Sequence, residues 1–337
     1  MIKYLGSKRK LLPHILQQIE SLPDVTRICD LFTGTTRVAQ ACKRNGIYVI
    51  ANDLASYSAV MARAYIATDA SATDVQLLQD LLDHLNTLPG IPGYVTRTFC
   101  EDARYFHPRN GARIDAIRAE IDRLELTENE RAITLTALLL AADKVDSTTG
   151  VQMAYLKQWA PRAMNDLELK LPELIAGAGE AYQQDAIELA RSGGTRDVDL
   201  TYIDPPYNQH SYAGNYHVWE TLVRNDAPDS YGIAKKRADI RGLRNPWNSK
   251  PRFRQTLTDL LTAVESRYLL MSFSNEGFVP TDQMERLLGD FGCVTRTDVD
   301  FRRYIGAQIG VHNPAGERVG TVSHTRNVEH LFLVDRG

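Results

Sequence analysis

The chain has 337 residues, 43% hydrophobic and 24% charged, with a net charge of −3; that is room for roughly two structural units, or one large domain with an insertion, and for a real buried core. This balance excludes disordered, collagen-like and coiled-coil classes, and the longest apolar runs, such as Ala137 to Ala142, are too short to span a bilayer. The basic start, Met1 to Lys10, is followed by no apolar stretch with a small-residue cleavage site, and Cys29, Cys42, Cys100 and Cys293 form no CxxC pair, so neither a signal peptide nor a zinc framework is expected and a reducing cytoplasm is.

Leu11, Leu12, Ile15, Leu16 and Ile19 keep helical spacing and predict a first helix. The apolar run from Ile28 to Phe32 reads as a buried strand, Thr33 to Thr36 as a tight turn, and Val38 to Lys43 as the opening of a helix. Tyr48 to Asp53 reads as the next strand, ending on an acid, which completes a β-turn-α-β unit. From about Leu54 to Gly179 the pattern is mostly helical. Ile114, Ile117, Ile121 and Leu124 keep helical spacing, and Thr127 to Asp143 follows with Thr127 and Glu130 placed for a capping box. Strand signals return around AYQQDA, which precedes a polar turn from Arg191 to Asp197. VDLTYID then runs directly into Pro205-Pro206-Tyr207, and Tyr268 to Ser274 and His330 to Val334 are strand-like. The expected outline is an α/β sheet domain interrupted by a helical block.

Charge is uneven along this outline. Tyr231 to Arg254 holds Lys235, Lys236, Arg237, Arg241, Arg244, Lys250, Arg252 and Arg254 against the single acid Asp239, a local +7 on an otherwise acidic chain. Such a segment reads either as a phosphate-binding surface or as a solvated loop.

The sharpest chemical feature is Asp204-Pro205-Pro206-Tyr207 at the end of an apolar strand. Methylating the exocyclic nitrogen of an extruded adenine requires two acceptors for its two N–H bonds, so that the lone pair faces the methyl donor. The Asp204 carboxylate can be one acceptor and the Pro205 carbonyl the other. Two prolines remove N–H donors and stiffen the turn, and Tyr207 offers a flat face for the base. Catalysis is then positioning and electrostatics. The alternative is a rigid strand end with a structural tyrosine. The second feature is Asp30-Leu31-Phe32-Thr33-Gly34-Thr35-Thr36 between strand and helix, where Gly34 lets backbone approach a ligand and the helix start offers free N–H groups. Asp53, ending the next strand, can take two ribose hydroxyls. The third is Tyr4-Leu5-Gly6-Ser7-Lys8, which reads either as an anion-binding loop or as an exposed basic end.

In this order (YLGSK, DLFTGT, an acidic strand end, QQDA, DPPY), the chain resembles the D12 class of adenine-N6 DNA methyltransferases, the Dam-like alpha group. The resemblance covers most of the chain and takes in RYFHPRNGARIDAIR, ADKVDSTTGVQMAYLKQW and NQHSYAGNYHVWET. It implies a doubly wound Rossmann-like sheet with a helical insertion, S-adenosyl-L-methionine as methyl donor and double-stranded DNA as partner. It further implies a restriction-modification setting with a possible cognate endonuclease. By that resemblance Tyr4, Gly6 and Lys8 meet the methionine end of the cofactor, and Asp30, Phe32 and Gly34 form the glycine turn. Asp53 takes the ribose, Asp185 the adenine amine, and Asp204 borders both cofactor and target. The catalytic domain is expected over 1–69 and 180–337, a target-recognition insertion over 70–179, and a basic DNA-contacting segment within 208–255. One departure stands out. The family's turn commonly reads D-x-F-x-G-x-G, and Thr36 occupies the last glycine, where its side chain can crowd the cofactor or cap the helix.

Near the tetrapeptide, Tyr212, Tyr216 and His217 are candidates to line a base pocket; His217 reads more readily as a hydrogen-bonded structural residue than as a base. Asn245, Trp247 and Asn248 can contact bases, and Trp247 also reads as a packing anchor. Competing readings are an N4-cytosine or RNA adenine methyltransferase, a DNA-binding module with a degenerate cofactor site, and a dinucleotide-dependent oxidoreductase, whose usual GxGxxG is absent.

Overall fold

The structure is a computed structural model that describes residues 2–4, 8–209, 211–302, 311–312, 318–320 and 326–337. The central strands form where apolar residues run without alternation. β1 (Arg27–Asp30), β2 (Tyr48–Asn52), β3 (Gly179–Tyr182), β4 (Leu200–Ile203) and β5 (Tyr268–Ser274) lie parallel. Every residue of β4 and β5 is buried, as a sheet covered on both faces demands. β6 (Cys293–Arg302) and β7 (Arg326–Asp335) complete a seven-stranded sheet of order β3-β2-β1-β4-β5-β7-β6, with β7 antiparallel to both neighbours. The order turns back between β1 and β4, where Ile28 pairs with Leu200. Their carboxyl ends therefore open on one crevice, where α/β sheets bind ligands.

α1 (Leu12–Glu20) carries Pro13 in its first turn, where the missing N–H costs nothing. α2 (Arg37–Arg44) and α3 (Ser56–Ala62) follow β1 and β2. α4 (Val75–Thr87) is capped by Asp74, which accepts from the Leu77 N–H. α5 (Pro108–Arg123) leads to α6 (Glu128–Lys144), where Thr127 and Glu130 form the expected reciprocal capping box. The remaining helices are α7 (Ala186–Arg191), α8 (Tyr212–Asn215), α9 (His217–Arg224), α10 (Lys250–Ala263) and α11 (Thr281–Gly289). Among the described residues no helix is long and apolar enough to cross a membrane.

Among the described residues, two large cores and a small one around Ala64, Leu78, Ala132 and Ile133 hold the layers together. One large core joins Ile28, Val49 and Tyr202 to α1, α2 and α3, and continues into Leu82, Phe99, Ile114 and Leu138 of the helical block. The other large core packs Leu31, Ile203, Met271 and Phe332 against Trp247, Phe253, Leu257 and Met284. Two elements lie outside the sequence reading. α7 occupies the stretch read as leading into a polar turn. β6 is exposed or half-exposed over residues 293–300 and mixes charged residues with apolar ones, so it lacks the continuous apolar run that marked β4 and β5.

Candidate active site

The loops at the carboxyl ends of β1, β2, β3 and β4 surround a cavity of about 1030 Å³, lined in part by Tyr4, Phe32, Gly34, Asp53, Asp185 and Asp204. Gly34 has φ +51°, and a Cβ there would lie 3.2 Å from Tyr4 Cε1. Both the left-handed backbone and the close approach of the tyrosine require glycine. The Gly34 N–H donates to Asp53 Oδ2 at 2.9 Å, and the Ala55 N–H to Oδ1 at 3.0 Å. These bonds aim the Asp53 carboxylate, while burial pushes its pKa up to about 6. Asp185 caps α7 with one oxygen, which accepts from the N–H groups of Ile187 and Glu188, and the same carboxylate lines the cavity. Asn52 was not singled out from the sequence. It is 1% exposed, donates to the carbonyls of Leu31 and Gln184, and accepts from the Gln184 N–H. It thereby staples three strand ends together; an amide closing a buried apolar strand was the available signal.

Asp30 is 1% exposed. Its Oδ2 accepts from Thr33 Oγ1 at 3.0 Å, and its Oδ1 is buried without a hydrogen-bond partner among the described residues. Burial first, then the nearby Asp204 and Asp53, raise its pKa to about 7. Thr36 does neither thing expected of it. It is fully buried, makes no side-chain cap, and is not among the cavity-lining residues. Its hydroxyl donates to the Thr35 carbonyl and accepts from Gln40 Nε2, both at 2.7 Å. It holds φ +61°, a left-handed conformation that costs roughly 1–2 kcal/mol in a residue with a Cβ, which is the physical reason a glycine suits this position.

Asp204 follows β4 directly and reaches the cavity. Lys8 Nζ lies 3.0 Å from its Oδ1. Expected from the resemblance at the cofactor's methionine end, Lys8 is instead 6% exposed, engaged by Asp204 and absent from the cavity lining. Burial raises the Asp204 pKa to about 6, with Lys8 opposing the rise. Gly6 lies outside the described residues. Pro206 lines the cavity, whereas the Tyr207 ring packs on Phe273 at 5.2 Å and is not among the lining residues. Tyr212 and Tyr4 line the cavity instead, with ring centroids 5.6 Å apart. Tyr216 is fully buried, stacked between Tyr4 at 4.5 Å and Trp219 at 4.8 Å. His217 is also fully buried, its Nε2 2.9 Å from the Gln152 carbonyl, and burial lowers its pKa to about 4. Neither lines a base pocket.

The basic segment divides in two. Arg237 borders the cavity, yet almost none of its surface is accessible. It is 1% exposed, and its guanidinium donates to Asp226 and Asp239, with NH2 2.6 Å from each. A buried guanidinium needs such partners, which a local charge count does not reveal. Lys235 is half-buried and paired with Asp102 at 2.8 Å, and Lys236 is half-buried. Arg241, Arg244, Lys250, Arg252 and Arg254 are exposed, and Arg244 and Arg252 line the cavity mouth. Trp247 is 4% exposed and meets Phe32 edge-on at 5.2 Å, an anchor that ties this segment to the glycine turn. Asn245 caps the turn Pro246–Asn248 that contains Trp247, accepting from the Trp247 N–H, and Asn248 donates to the Asn208 carbonyl.

A sheet with one antiparallel strand and carboxylates gathered at its central strand ends is that of an S-adenosylmethionine-dependent methyltransferase. The sequence profile of the D12 class N6 adenine-specific DNA methyltransferases matches residues 4–245, and the chain belongs to that family. It is 31% identical over 318 residues to the type II methyltransferase M.NlaIII of Neisseria lactamica, covering 90% of this chain and 92% of that protein. Against the modification methylase StsI of Streptococcus sanguinis it is 30% identical over 324 residues, 90% of this chain but 49% of that protein. The type II methyltransferase M.CviAII of Paramecium bursaria Chlorella virus 1 is 29% identical over 322 residues, with 91% and 94% covered. The chain thus spans about half of StsI and nearly all of the other two.

The residues present fit this cofactor. Asp30 is not itself among the cavity-lining residues, but it directly precedes Leu31 and Phe32, which are, and its Oδ1 lacks a donor among the described residues. Asp53 and Asp185 present carboxylates to the cavity, suited to a ribose diol and an adenine amine. Phe32 supplies apolar wall beside them.

Proposed function

We propose that the protein is a site-specific DNA methyltransferase acting on the exocyclic N6 of an adenine extruded from duplex DNA, in a restriction-modification system with a cognate endonuclease. The observation that carries this reading is that Asp204 and Pro206, directly after the central strand β4, line the same cavity as Asp53 and Asp185.

Asp204 accepts one N–H of the target amine. The Pro205 carbonyl, to which no described donor is bonded, accepts the other. With both N–H bonds held, the nitrogen lone pair points at the donor, and a proximity term of several kcal/mol follows from that orientation. S-adenosylmethionine supplies an electrophilic methyl group. When bound, it would give that methyl to the lone pair, its C–S pair would return to sulfur, and the extra proton on nitrogen would leave to water. Tyr212, and not Tyr207, supplies the aromatic face toward the cavity. Arg241, Arg244, Lys250, Arg252 and Arg254 meet phosphates, and the block over 70–179 serves target recognition.

The test is methyl transfer from labelled S-adenosylmethionine to unmethylated genomic DNA, followed by digestion and mass analysis of nucleosides. N6-methyldeoxyadenosine is the expected product. Label on cytosine would overturn the base assignment, and cofactor binding without label on DNA would overturn the substrate.

A further inference from the structure

The Lys8 ammonium sits between carboxylates from distant parts of the chain: Asp204 Oδ1 at 3.0 Å and Glu329 Oε2 at 3.8 Å. The three side chains are 6%, 18% and 13% exposed. Glu329 lies on β7, opposite Ser274 of β5, and is not among the cavity-lining residues, so it is not placed to touch base or cofactor. Its Oε2 is buried, and no hydrogen-bond donor reaches it among the described residues. A buried carboxylate oxygen in that condition is costly. What faces it is Lys8, beyond hydrogen-bond distance but well within strong Coulomb range.

We propose that Glu329 is a positioning residue for methyl transfer, acting through Lys8. It shares the lysine's positive charge and so leaves Asp204 negative enough to hold the target amine and to stabilise the positive charge that grows on nitrogen. Without Glu329, Lys8 would neutralise Asp204 more completely and weaken it as an acceptor. This purpose rests on the methyltransferase reading above; the charge coupling itself does not.

The groups facing Asp204 are Lys8, Glu329 from β7, Asp30 from β1, Tyr202 within β4, Tyr207, and Tyr212 from α8. The tyrosines are pushed up by burial and stay neutral, so the charges that act are Lys8, Glu329 and Asp30. Removing the negative charge of Glu329 makes Asp204 easier to ionise; removing Lys8's charge makes it harder.

The experiment follows the Asp204 carboxyl by infrared titration of the full chain, its band assigned by loss in Asp204→Asn. Glu329→Gln is expected to move the titration down by about one pH unit and Lys8→Met to move it up by about as much, with Lys8→Arg near the wild type. Glu329→Asp, which keeps the charge on a shorter stem, should fall between and serves if Glu329→Gln fails to fold. In single-turnover methylation the acidic limb should move the same way. The Glu329→Gln plateau should fall roughly tenfold, with DNA and cofactor affinity unchanged. A titration and acidic limb for Glu329→Gln that coincide with the wild type would overturn the proposal. Displaced titrations in a protein that methylates no DNA would support the coupling and overturn the methyltransferase reading instead.

Discussion

Asp30 shows most plainly what it costs to bury a carboxylate. Its buried Oδ1 has no described partner, and burial lifts its pKa from 3.8 to about 7, with Asp53 and Asp204 lifted to about 6. For an acid whose folded pKa exceeds its unfolded value, folding favours the protonated form. That stabilisation is complete below the unfolded pKa near 4 and is lost as pH rises through about 6 to 7. The cofactor-free protein is therefore expected to lose thermal stability across this window. Asp30→Asn, which keeps an acceptor for Thr33 but cannot ionise, should flatten the loss and raise Tm at about pH 8. It should also weaken S-adenosylmethionine binding at least tenfold. Melting curves at several pH values and a cofactor titration check both; a Tm at pH 8 equal to wild type would refute the burial argument. At Asp204 the expectation is simpler. Asp204→Ala removes one of two amine acceptors and should abolish transfer while the melting transition stays cooperative. Near-normal turnover would remove Asp204 from the chemistry.

At the scale of elements, the turn between β1 and α2 is set by two left-handed residues with different reasons. Gly34 lies against Tyr4, whereas Thr36 faces inward and bonds Gln40. Gly34→Ala should cost roughly 1–2 kcal/mol of stability and displace Tyr4 from the cavity wall, weakening cofactor binding; calorimetry of the variant with and without cofactor separates the two effects. In the basic segment, exposure sets which cations a phosphate can reach. Neutralising Arg241, Arg244 and Arg252 should reduce the slope of log affinity against log salt by about 0.9 for each phosphate that is no longer neutralised. An unchanged slope would place the DNA elsewhere. Arg237→Ala should instead destabilise the fold by about 3 kcal/mol, because Asp226 and Asp239 would be left facing each other; denaturant melts report this directly.

On the scale of the whole molecule, the helical block and the sheet share a core. Leu82, Phe99, Ile114 and Leu138 belong to the same cluster as Ile28 and Tyr202, and Lys3 ties the start of the chain to Asp143 and Asp146. Deleting residues 70–179 should therefore leave no folded catalytic half. Calorimetry of the intact chain should show one cooperative transition in which sheet and block unfold together. Two separated transitions would show that the block is an independent unit.

Local pattern was enough for much of this. Ile28 to Phe32, the Gly34 turn and Tyr48 to Asp53 announced a β-turn-α-β unit, because strand burial and turn chemistry are written in neighbouring residues. The Thr127–Glu130 capping box was legible for the same reason. DPPY after an apolar strand, in its order with YLGSK and DLFTGT, marked the chemistry. What the sequence by itself determined is therefore the central strands, their acidic ends and the family they resemble. The tertiary structure alone decided which charges are usable. Arg237 reads as one more surface cation until Asp226 and Asp239 close on it, and Tyr207 reads as a stacking face until Phe273 covers it. β6 and the approach of Glu329 to Lys8 depend on pairing between segments far apart in the chain. Periodicity within a few residues carries no record of such contacts, and burial, which sets both the cost of a charge and the partner it must find, exists only once those segments meet.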